Sequence, residues 1–185
     1  MVTAESVHQQ NQGSRLFTAG PITVVIRPPS SMEWDLYVDM RSKKSADARK
    51  LLRACILFPN RDEVAKIVAK QPFAAKKLDE LIVNLIAPDT SELHDSYKYA
   101  DAQMLRCDDV EYHIQHPTES VFEAFEEQAR NGYSAAATHL VKACLLEPSA
   151  QEFDQHNGRK PGLKHLLTGH LMKMAGADLE FTEKK

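Results

Sequence analysis

Residues 45–63 (SADARKLLRACILFPNRDE) and 134–152 (SAAATHLVKACLLEPSAQE) are two versions of one segment. Nine of the nineteen aligned positions are identical, among them Leu51/Leu140, Ala54/Ala143, Cys55/Cys144 and Pro59/Pro148. Chance would give roughly one or two such identities, so the chain carries an internal repeat. This constrains the fold more than composition does, because each copy must bury the same apolar positions in the same local structure. With a one-residue shift the match extends upstream, pairing Pro29 with Pro117, Trp34 with Phe122 and Tyr37 with Phe125. Downstream it pairs Pro72 with Pro161, Leu78 with Leu167 and Ile82 with Leu171. The shared positions are apolar residues and prolines, and almost none carries catalytic chemistry.

Each copy opens on a short β-branched run, ITVVI at 22–26 and VEYHI at 110–114, which reads as a strand. Two lone strands are marginal, so they are expected to pair with each other in a small two-stranded sheet, or with a neighbouring subunit. A proline and a small polar residue follow each strand (Pro29-Ser30, Pro117-Thr118), which is N-cap chemistry. The helix after it carries Trp34, Tyr37 and Val38, or Val121, Phe122 and Phe125, on one face. The next helix is expected over 45–57, with Ala48, Leu51, Leu52, Cys55 and Ile56 at helical spacing, stopped by Pro59. A shorter helix over 61–70 carries Val64, Ile67 and Val68. Its copy is degraded to Phe153, His156 and Asn157. A last helix uses Leu78, Leu81, Ile82 and Leu85, matched by Leu167, His170, Leu171 and Met174. The expected class is mainly α, with two repeated helical units each preceded by a short β-strand. The expected division is a disordered tail at 1–20, a first repeat at 21–88, an acidic linker at 89–109, a second repeat at 110–177 and a tail at 178–185.

Charge is uneven. Residues 41–77 hold eleven Lys/Arg against three Asp/Glu, whereas 78–128 hold two against thirteen. A basic surface including Arg49 and Arg53 for an acidic partner, nucleic acid among the candidates, is one reading; solvated helix faces are the other. The negative total charge and the lack of a recognition motif weigh against nucleic acid. No apolar run reaches the ~20 residues that span a bilayer, and the polar N-terminus lacks a signal-peptide core. Three cysteines without paired spacing point to a reducing cytosol. Cys55 and Cys144 read as small buried hydrophobes.

Catalytic signatures are absent from the sequence: no Walker A, GxGxxG, GxSxG, HExxH or CxxC occurs. Six of eight histidines fall in the second copy, but no pair has the i, i+4 spacing of two ligands on one helix face. Pairing of Cys144 with His139 or His165 is disfavoured, because the first copy has Lys50 and Lys76 at those histidine positions. No cofactor, no metal and no enzymatic activity are expected.

The order of pieces in the first copy is ITVVIRPPSS, then MEWDLYVDM, then LLRACILFPNRDEVAKIVAKQP, then KKLDELIVNLI. This pattern resembles the small helical tail assembly chaperones of long-tailed bacteriophages, over about 66 residues of copy one and less closely in copy two. The chain departs from the usual single unit in being a tandem pair. The resemblance implies a non-enzymatic cytoplasmic protein that coats the tape measure protein and recruits tail tube subunits during assembly. On that reading Trp34, Tyr37, Phe122 and Phe125 line partner-binding grooves, with Arg49 and Arg53 beside them, and self-association follows if strands pair between subunits. The competing reading of the four rings is plain core, which their helical spacing favours.

Overall fold

The computed structural model describes residues 2–19, 21–41, 44–92 and 102–177. The chain divides into two units, Met1–Ala87 and Pro88–Lys185. Helix dominates the described residues, with two small antiparallel sheets, so the chain is mainly α.

The first unit runs α1 (Ala4–Gln10), β1 (Arg15–Ala19), β2 (Ile22–Ile26), α2 (Ser31–Arg41), α3 (Ser45–Arg53), β3 (Ile56–Phe58), α4 (Arg61–Lys70) and α5 (Pro72–Asn84). Its sheet order is β1-β2-β3, which puts the ITVVI strand in the centre. The hairpin pairs Arg15 with Ile26 and Ala19 with Ile22. On the other edge Val25 pairs with Phe58 and Ile26 with Ile56 across a register irregularity. Trp34, Leu52, Leu78 and Ile82 of the helices and Ile86 just after α5 are buried with Val24 and Ile26 in one cluster. Burial of each large aliphatic side chain is worth ~1.5–3 kcal/mol.

The second unit runs β4 (Thr90–Glu92), β5 (Ala102–Cys107), β6 (Val110–Gln115), α6 (Glu119–Ala129), α7 (Tyr133–Cys144), β7 (Leu145–Glu147), α8 (Ala150–Arg159) and α9 (Leu163–Met174). Its sheet order is β4-β5-β6-β7, all antiparallel. The β5–β6 hairpin turns at Asp108-Asp109, with Asp108 in the left-handed region at φ 54°, which aspartate tolerates better than most residues. Leu105, Tyr112, Phe125, Leu140, Phe153, Leu167 and Leu171 form its core.

Four sequence expectations need correction. Residues 1–20 are not a disordered tail. Thr3 and Ser6 form a capping box on α1, the Ser14 hydroxyl donates to the Asn11 carbonyl at 2.7 Å, and β1 places Phe17 against the buried cluster. Residues 89–109 are not simply a linker, because β4 and β5 belong to the second sheet, with Ala102, Leu105 and Cys107 buried; residues 93–101 lie outside the described residues, as does the expected tail at 178–185. The strands β2 and β6 do not pair with each other in a two-stranded sheet, since each is flanked on both sides by strands of its own unit. Finally, the helix expected over 45–57 ends at Arg53. Ile56–Phe58 instead supplies backbone partners to β2, and the Arg27 N–H donates to the Cys55 carbonyl at 3.0 Å. Both Phe58–Pro59 and Glu147–Pro148 are cis.

Local caps start the helices where the polar residues after proline indicate. Ser30 and Glu33 exchange bonds at the head of α2, Thr118 accepts from the Val121 N–H, and Asn60 accepts from Asp62 and Glu63 N–H groups. Glu33 also receives the Arg27 guanidinium at 2.8 and 2.6 Å, clamping the end of β2 to α2. Those charge-assisted bonds hold the Glu33 carboxyl well below its ordinary 4.5, at about 2, against the opposing effect of burial. The unfolded chain therefore binds this proton more readily than the folded one. The pair's contribution, about 1–2 kcal/mol after discounting for partial solvation, is complete above pH 4.5 and lost as pH falls towards 2. Denaturant titrations followed by fluorescence of Trp34, the single tryptophan, should show first-unit stability falling across that window. Glu33→Gln should lower stability at neutral pH and flatten the fall; an unchanged acid slope would contradict the clamp.

Candidate functional site

In the first unit α3 turns Ala48 and Leu52 inward and leaves Leu51 half-buried at its shoulder. On α4 Val64 is buried and Val68 half-buried, while Ala65 and Ala69 are exposed. Between the two helices lies a cavity of about 650 Å³, floored by Leu51, Ala54, Ile56, Val64 and Val68. Ala65 and Ala69 line it with Lys50, Arg53, Arg61 and Asp47. A smaller one of about 260 Å³ lies on the other side of α4, lined by Ile22, Glu63, Lys66, Ile67, Lys70 and Gln71.

The cations around the larger groove are held differently. Arg53 is anchored within the unit, its Nε and Nη2 each donating at 2.8 Å to Asp79 on α5. Lys50 lies 3.3 Å from Asp47 in an exposed i, i+3 pair, which is worth little in water. Arg61 is exposed at the N-terminal end of α4. Lys76 and Lys77 face Glu80 at 3.8 and 2.8 Å, so part of the basic stretch is answered by its own carboxylates.

The six residues singled out from the sequence separate. Trp34 is buried and stacks on half-buried Tyr37 at 5.0 Å between ring centroids. Phe125 is buried; Phe122, half-buried, lies 6.1 Å from it, and Tyr133 meets Phe125 edge-on at 5.9 Å. Trp34 and Phe125 belong to the interiors of their own units, with Tyr37 and Phe122 at the margin, and the reading of Trp34 and Phe125 as groove walls gives way to the core reading. Arg49 is exposed on α3 outside the groove lining. Of the six, the groove takes in Arg53 alone. Sequence reasoning missed Leu51, Ala65 and Val68 as a surface. The available signal was the inequality of α4, apolar on two flanks, and α8, polar there.

The reactive side chains are drawn into packing. Cys55, Cys107 and Cys144 are buried, and loss of hydration pushes their thiols up to about 11, 12 and 11. His139 is exposed on α7 while Cys144 faces inward, so the two do not form a nucleophile pair. His156 is buried between Tyr112, whose Oη lies 2.7 Å from Nδ1, and Asp108, whose carboxylate lies 3.1 Å from Nε2. A neutral ring satisfies both bonds when Nε2–H donates to Asp108 and Nδ1 accepts from the tyrosine hydroxyl. Burial alone would raise the Asp108 carboxyl; the Asp89 backbone N–H, at 2.9 Å, and His156 outweigh it and hold the carboxyl below its ordinary value. This relay ties the β5–β6 turn to α8. Among the described residues no group of three His, Cys, Asp or Glu side chains is placed to hold a metal ion, and no helix is long and apolar enough to cross a membrane.

No protein-family model matches the chain, and neither the curated proteins nor the solved structures yielded a match.

Two outcomes follow from this burial. A thiol reagent at neutral pH should label the native protein slowly and add three adducts only after unfolding, as counted by mass spectrometry; rapid native labelling would contradict the packing. Tyr112→Phe removes the hydroxyl bonded to buried His156 and should lower second-unit stability by about 1–2 kcal/mol. Hydrogen exchange should show the loss over α8 and the β5–β6 turn.

Proposed function

We propose that this chain is a non-enzymatic tail assembly chaperone of the long-tailed bacteriophage type, in tandem-duplicated form, acting in the cytoplasm of the host cell. It binds the tape measure protein, the tail tube subunit or both during assembly. The observation that carries the reading is the open apolar groove with cations at its rim, in the unit whose order of strand, Pro–Ser step, aromatic helix, apolar helix, proline and short helix bears the family resemblance. A chaperone for a long amphipathic helix needs such a surface, because grooves of this kind take the apolar stripe of a partner helix.

We read the two units as copies of one module. Both place a hairpin before two helices, then a three-residue strand, then two more helices, and both have a cis-proline after that strand. The nine identities between 45–63 and 134–152 support the same origin. The burial of all three cysteines and of His156 supports a binding role over a catalytic one. The alternative, a nucleic-acid module using the basic 41–77 surface, is weakened by the intramolecular pairs that Arg53, Lys76 and Lys77 make.

Co-expression of the tagged chain with the tape measure protein and the tail tube subunit of the same phage tests the proposal. The expected result is that one or both co-purify at defined stoichiometry and that the tape measure protein gains solubility. Recovery of the chain alone, or with nucleic acid only, would sink it.

A further inference from the structure

We infer that the α3/α4 groove of the first unit docks an amphipathic helix of a partner protein that carries carboxylates beside its apolar stripe, and that the matching position of the second unit is closed by that unit's own side chains. The partner's identity rests on the chaperone reading; the shape and charge of the groove do not.

Shape comes first. Val64 and Val68, and beside them Ala65 and Ala69, repeat at four-residue spacing along α4, facing Leu51 of α3 and Ala54 just after it. Rows of this spacing are what a third helix packs against when ridges enter grooves, and alanines let its backbone come close. The volume of about 650 Å³ lies within the ~300–1,000 Å³ range of ligand clefts, room for several side chains.

The aligned residues of the second unit show what filling looks like. Phe153 stands at the position of Val64 and is fully buried, and Leu140 at the position of Leu51 is fully buried too. Lys142 and Asp154, aligned with Arg53 and Ala65, join α7 to α8 through an ion pair at 2.7 Å. In the first unit the valine is smaller, the alanine offers no carboxylate, and Arg53 turns instead to Asp79. The apolar floor is therefore left for something outside the unit.

Charge selects the occupant. Of the three cations lining the groove, Arg53 is held by Asp79 and Lys50 lies beside Asp47, so exposed Arg61 carries the excess positive charge of the rim. A helix with Glu or Asp on its flanks complements that rim, whereas a lysine-flanked helix is repelled. The apolar floor does not suit a phosphate backbone.

The test uses the full chain and two fluorescein-labelled synthetic helical peptides with one leucine stripe, flanked by glutamate or by lysine. Anisotropy should show binding of the glutamate peptide and much weaker binding of the lysine peptide. The double variant Ala65→Asp, Val68→Asn gives the groove the residues of the second unit at partly or fully exposed positions, so the thermal unfolding midpoint should hold. Affinity for the glutamate peptide should fall about tenfold or more. Arg61→Glu should narrow the difference between the peptides. Equal binding of both, no binding, or binding indifferent to the double variant would overturn the proposal. So would a wild-type dimer that the double variant converts to monomer, since the occupant would then be a second copy. If the double variant still co-purifies with the tape measure protein as wild type does, the groove proposal falls and the chaperone reading stands. If the glutamate peptide binds as described and no tail protein co-purifies with the wild type, the groove stands and the chaperone reading falls.

Discussion

Each unit depends on a central strand whose two backbone edges are both satisfied. β2 and β6 each bury three consecutive residues, Val24–Ile26 and Tyr112–Ile114, so unpaired N–H and C=O groups there would be costly. The hairpin partner satisfies one edge locally. The other edge is supplied by three residues, β3 or β7, that arrive directly after a helix. To deliver them, α3 must stop at Arg53 and α7 at Cys144. The chain then turns at a proline into α4 or α8. The position of the groove follows from that requirement, since its walls are the helix before the short strand and the helix after it.

What was legible in the sequence was what has a period. The apolar spacing of α3, α5, α7 and α9, the β-branched run of β2 and the caps after Pro29 and Pro117 all correspond to observed elements. The misses have separate causes. Ile56–Phe58 continues the helical pattern of Ala48 and Leu52, so periodicity alone carries the helix too far; the open edge of β2 is a non-local demand that spacing does not express. RLFTA and AQMLRC sit beside polar and acidic stretches, and averaging over those neighbours hides two strands whose partners are the next segments of chain. The aromatic residues were legible as apolar helix faces, and the structure resolves them into interior packing. The inequality of α4 and α8 was the one sequence trace of the groove, because the pattern of a helix identifies its apolar face without fixing how much of that face its neighbours cover.

The second unit draws its chemistry-bearing residues into packing. Its histidine-rich composition invites a metal or catalytic reading. Yet His156 is occupied by Tyr112 and Asp108, Tyr133 stacks on His165 at 5.8 Å, and His113 is buried in β6. A buried polar network of this kind is costly if half satisfied and rigidifying when complete. The first unit has Ile67 at the position aligned with His156, half-buried and lining the smaller cavity. Of these two residues aligned in sequence, one serves internal order and the other lines a surface cavity.

That contrast bears on why the units differ along α4 and α8. Apolar surface left in water forgoes about 25 cal/mol for each Å² that could be buried, and Phe153 with the Lys142–Asp154 pair shows that this scaffold can bury it. In the first unit Val64 is buried, but Ala65 is exposed and Val68 half-buried, so part of that gain is forgone. Under the docking proposal, binding of a partner helix restores the missing burial. One unit buries Phe153 and joins α7 to α8 through Lys142 and Asp154, whereas the other leaves an open cavity of about 650 Å³ between α3 and α4 with cations in its lining.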